Sequence, residues 1–110
     1  GGCTSNSTRG LIMGGSRGND DTVDEVEYIT ISSTGDVTDF GNLSAGRMKG
    51  AAATTGDRAV IGGGQGDNTS DAVNIIEFFT ITSTGNATDF GDLAVAKTEL
   101  QGVSNGHGGL

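Results

Sequence analysis

Proline and tryptophan are absent from this chain, and cysteine and histidine occur once each. Glycine, at 21 of 110 residues, has no G-X-Y period, which excludes a collagen helix. Lys and Arg number 6 against 14 Asp and Glu, a net charge of −8. Binding to phosphate needs clustered cations, so this balance argues against nucleic acid and against an anionic membrane surface. No apolar run approaches the roughly 18 residues that cross a bilayer as a helix. No signal peptide is visible, and the chain begins at Gly1 rather than Met, so a segment of something longer is expected. Cys3 has no partner for an internal disulfide and no zinc-type spacing; a small buried or half-buried role is expected.

What is present is a repeat. Residues 27–43, EYITISSTGDVTDFGNL, match 77–93, EFFTITSTGNATDFGDL, at 11 of 17 positions. Upstream, RGLIMGG (9–15) matches RAVIGGG (58–64) with an offset one residue shorter, so one residue is gained in the loop between. Downstream, Arg47 matches Lys97, and 51–60 matches 101–110. The expected organisation is a first unit over 1–49, a second over 50–99, and the start of a third over 100–110.

Each unit reads as four short strands. In the second, GAAATT (50–55) and RAVIGG (58–63) precede a polar loop, then the β-branched and aromatic run VNIIEFFTI (73–81). S-T-G-[DN] follows, with Gly placed for a tight turn, and ATDFGDL makes the fourth strand. Four strands in about 50 residues, repeated, is the pattern of a β-propeller blade. Ile75, Ile76, Phe78, Phe79 and Ile81 put apolar groups on both faces of their strand, which favours a sheet packed between two others over a sandwich.

These positions resemble the kelch repeat: Gly14-Gly15 and Gly63-Gly64 after an apolar strand, Glu27-Tyr28 and Glu77-Phe78, the second aromatics Phe40 and Phe90, and the closing bases Arg47 and Lys97. Kelch usually carries Trp where Phe40 and Phe90 stand, so the unit is divergent. The wording is also similar to kelch-like arrays in phage and bacterial structural proteins. The resemblance implies an all-β fold of two four-stranded antiparallel blades plus an overhanging strand. It further implies a larger or oligomeric propeller of roughly five to eight blades. Two blades cannot close a ring, so the partners expected are the remaining blades of a longer chain or copies of the chain itself.

Catalytic motifs dissolve on inspection. D-F-G at 39–41 and 89–91 lacks the other kinase elements, and the glycine runs lack G-K-[ST]. His107 has no recognisable triad. The acids Asp20, Asp21, Asp24 and Glu25 offer hard oxygens for Ca²⁺ but match no EF-hand loop, so a solvated acidic loop is favoured and no cofactor is expected. N-x-[ST] triplets at Asn6, Asn42, Asn68 and Asn86 do not recur at equivalent positions. Binding to a protein or glycan is expected through the loops at 16–22 and 65–72, with Arg17, Asn19, Asp20, Asp21, Gln65, Asp67 and Asn68 as candidates. The expected function is a non-catalytic structural or binding module of a virion or cell surface, tail-fibre or adhesin-like. The alternative is an intracellular kelch-type adaptor in the cytoplasm.

Overall fold

A computed structural model describes residues 2–18, 21–66 and 71–104. The fold is all-β and antiparallel. The first sheet runs in chain order through β1 (Gly2–Ser5), β2 (Arg9–Ser16), β3 (Thr22–Thr30) and β4 (Thr38–Asn42). The two-residue strands β5 (Arg47–Met48) and β8 (Gln65–Gly66) pair with each other. The second sheet contains β6 (Ala51–Thr54), β7 (Arg58–Gly62), β9 (Val73–Thr80) and β10 (Thr88–Lys97), again in chain order. The registers repeat as the sequence does: Gly2 opposes Met13 as Ala51 opposes Gly62, and Tyr28 opposes Thr38 as Phe78 opposes Thr88.

Neither sheet closes on itself. They stack face to face over one core. Leu11, Met13, Val26, Phe40 and Leu43 from the first unit meet Ala59, Ile61, Phe79 and Ile81 from the second. Phe40 stands edge-on to Tyr28 at 5.9 Å and to Phe79 at 5.5 Å between centroids, the arrangement that brings ring edges against ring faces. The strand 73–80 thus has one apolar face in this seam, and its other face, where Ile76 and Phe78 are half-buried, carries no second sheet among the described residues.

The S-T-G stretch departs from a tight hairpin. The turn closes one step earlier, with Ser83 N–H donating to the Thr80 carbonyl and Ser33 N–H to that of Thr30. Residues 84–87 then run alongside the other sheet. Gly85 N–H donates to the Phe40 carbonyl and Ala87 N–H to that of Asn42, both at 2.8 Å, while Asn42 N–H donates to Asn86 Oδ1 at 3.1 Å. The edge strand β4 is capped by the neighbouring unit. Gly41, the glycine of D-F-G, makes the approach feasible: a Cβ there would lie 2.1 Å from the Gly85 carbonyl oxygen.

A second departure concerns Cys3, which is exposed rather than buried. It opposes Ile12 across β1–β2, on the face that looks away from the core, while Gly2 on the other face packs against Ala52.

Candidate functional site

Three places bear on function: the loops, the seam, and an apolar groove on the second sheet. The loops after β2 and β7 leave equivalent strands of two stacked sheets, so both emerge at one rim. In the first, Arg17 and Asp21 are exposed and joined through the backbone, Arg17 N–H donating to the Asp21 carbonyl at 2.9 Å. Arg17 Nη2 reaches Glu25 Oε1 at 2.6 Å, an exposed pair that solvent screens strongly. Gln65 differs from these two. It is buried, sits in β8 opposite Met48 and bridges to Ala72, so its backbone forms part of the scaffold. Asn19, Asp20, Asp67 and Asn68 lie outside the described residues, as does His107. Among the described residues no group of three or more His, Cys, Asp or Glu is placed to hold a metal ion.

The seam carries the most unusual chemistry. Arg47 and Glu77 are buried at 3% and 2% exposure, and their side chains pair through Nη2 and Oε2. Arg47 Nη1 also donates to the Ile75 carbonyl at 2.9 Å and to that of Gly63 at 3.4 Å. The second carboxylate oxygen, Oε1, accepts from Ser44 N–H at 3.0 Å. Burial lowers the pKa of Arg47 from its usual value, an effect opposed by the charge and hydrogen bond of Glu77. The unit-closing base of the first repeat is therefore locked to the strand glutamate of the second. Sequence reasoning singled out both positions without joining them. Their recurrence at one offset, as Glu27 and Lys97, was the available signal.

Arg9 supports the same seam from its rim. Its guanidinium lies 4.3 Å from the Tyr28 ring centroid, and Nη1 donates to the Ile81 carbonyl at 2.8 Å. Arg58, the equivalent residue, lies 4.2 Å from the Phe78 centroid.

The apolar groove, about 390 Å³, opens on the face of the second sheet away from the core. Val60, Ile76 and Leu93 line it, with Leu100 to Gly102 along one border. Gly102 lies against the backbone of Ala52, and residues 100–104 form no strand, so the overhanging strand expected from the sequence is not formed over these residues. Compared with protein-family models and with curated proteins, the chain matches none.

Proposed function

We propose that the chain is a non-catalytic scaffold, two adjacent kelch-like blades of a β-propeller, which holds variable loops at one rim for binding. The observation that carries this reading is the stacking of two equivalent four-stranded meanders across a seam closed by Arg47 and Glu77. A sheet apolar on both faces has use for neighbours on both sides, and serial stacking of one supersecondary unit supplies them. The acidic surface and near-identical units fit a structural component of a virion or cell surface, presenting Arg17, Asp21 and their loop to a protein or glycan.

The test is a series of single chains built from two, three and up to eight units of this repeat. Thermal and urea stability should climb with each added seam, then jump at the unit number that closes the ring and uses both free faces. A climb that levels off smoothly, as in an open solenoid, refutes the propeller; no climb refutes serial stacking altogether.

A further inference from the structure

The two outer faces of the molecule are unlike each other and match the two halves of its own seam, position for position. On the first sheet, Ile12, Glu27, Ile29 and Ile31 occupy the repeat positions of Ile61, Glu77, Phe79 and Ile81, which lie buried in the seam. On the second sheet, Val60, Ile76, Phe90 and Leu93 occupy those of Leu11, Val26, Phe40 and Leu43. The contrast in exposure is large: Phe40 is 2% exposed and Phe90 54%, Ile81 0% and Ile31 52%. Large apolar groups left in water on two unlike faces mark contact surfaces.

We propose that the outer face of the second sheet binds the outer face of the first sheet of a second copy of this chain, head to tail, with Lys97 of one copy paired to Glu27 of the other. This deepens the serial-stacking reading above and rests on it. Charge selects the polarity, because Lys97 stands where Arg47 stands and Glu27 where Glu77 stands, opposite signs on opposite faces. Arg58 is seated over Phe78 as Arg9 is over Tyr28, ready to donate to the Ile31 carbonyl of the second copy as Arg9 donates to that of Ile81. Gly91 has open space where a Cβ would project, and that space receives Gly35 of the second copy as Gly41 receives Gly85. Residues 100–102 lie along Ala52, where β1 of the second copy would stack, and they move aside on association.

The experiment uses the whole chain and two variants, Lys97→Glu and Glu27→Lys, each alone and as an equimolar mixture. Lys97 is exposed and Glu27 half-buried, so the substitutions spare the core, and far-UV circular dichroism checks the fold. Sedimentation of the unmodified chain should give a mass that rises above 11.0 kDa with concentration. Each single variant should weaken association on the order of tenfold, and the mixture, in which both contacts between unlike variants pair opposite charges, should recover it. Cys3 lies on the first sheet's outer face, so its alkylation should slow as the chain associates. A mass fixed at 11.0 kDa at every concentration overturns the proposal. So do variants that associate like the parent, a mixture that fails to recover, or unchanged Cys3 reactivity. A chain that stays monomeric while the single-chain series still gains stability with each unit sinks the second copy and leaves serial stacking standing.

Discussion

Removing one partner of the Arg47–Glu77 pair should destabilise the molecule far more than its single contact implies. In Glu77→Gln the guanidinium stays buried with the Ile75 carbonyl at 2.9 Å and the longer contact to Gly63, and no anion. An uncompensated buried charge of this kind costs about 3–5 kcal/mol. Arg47→Met leaves the Glu77 carboxylate with the Ser44 N–H alone, a comparable loss. Folding already disfavours the charged form of Arg47, since its pKa falls on burial. That cost is present at every pH below the lowered value, and it is relieved when the charge is deleted. The double substitution Arg47→Met with Glu77→Leu removes both charges and strands the Ser44 N–H, with the Gly63 carbonyl losing its longer contact, at about 1–3 kcal/mol each, while the Ile75 carbonyl keeps the Gly63 N–H at 2.9 Å. It should therefore cost about as much as one single change, giving a coupling of at least about 2 kcal/mol. Urea unfolding followed by far-UV circular dichroism reads this directly. With a slope of about 1–3 kcal/mol/M, each single change moves the midpoint by about 1 M or more. Single costs below about 1 kcal/mol, as for an exposed pair, or a double cost equal to the sum would refute the argument.

Two further perturbations compare equivalent positions in the two units. Gly41 and Gly91 have nearly the same φ, 155° and 152°, so Gly→Ala carries the same backbone strain at each. Only at position 41 does the new Cβ meet the Gly85 carbonyl, so Gly41→Ala should lower the melting temperature clearly more than Gly91→Ala; equal shifts would show that the close approach carries no weight. Phe40→Ala should cost about 3–5 kcal/mol, since the ring is buried between Tyr28 and Phe79. Phe90→Ala in the dilute chain should cost far less, because over half of that residue is in water; calorimetry on both decides.

Strand positions were legible because β-branched and aromatic runs bounded by Gly and polar residues leave few alternatives. VNIIEFFTI holds β9 and RAVIGG holds β7, and the repeat fixes their order. What the chain could not disclose from local pattern is where each unit's polar groups go. TDFGNL and TDFGDL are nearly the same words, yet β4 stops at Asn42 while β10 runs on to Lys97. After Asn42 the backbone bends toward the second sheet because Ser44 N–H finds Glu77 and Arg47 joins β8. After Asp92 the ladder with β9 is interrupted, and Lys97 rejoins it opposite Val73 instead of pairing with a strand of another unit. Tertiary partners, absent from local sequence, override the shared propensity. Gln65 follows the same logic: polar composition reads as a loop, but pairing with Met48 buries it.

The substitution of Lys97 for Arg47 sets the order in which such seams form. Arg47 uses one planar fork to reach the Glu77 carboxylate and two carbonyls on separate segments. An ammonium is a point charge on a flexible stem and cannot hold that fixed geometry at equal entropic cost. A seam built on Lys97 and Glu27 is therefore weaker, contact for contact, than the inner one. The inner seam also forms within one chain, where a short connection supplies a high effective concentration, whereas the outer seam pays for bringing two molecules together. On the proposed stacking, units of one chain would stack first, and copies would join only as concentration rises. Because the two faces are unlike, each addition exposes the same pair again, and the rotation per step alone decides between a closed ring and an open fibre.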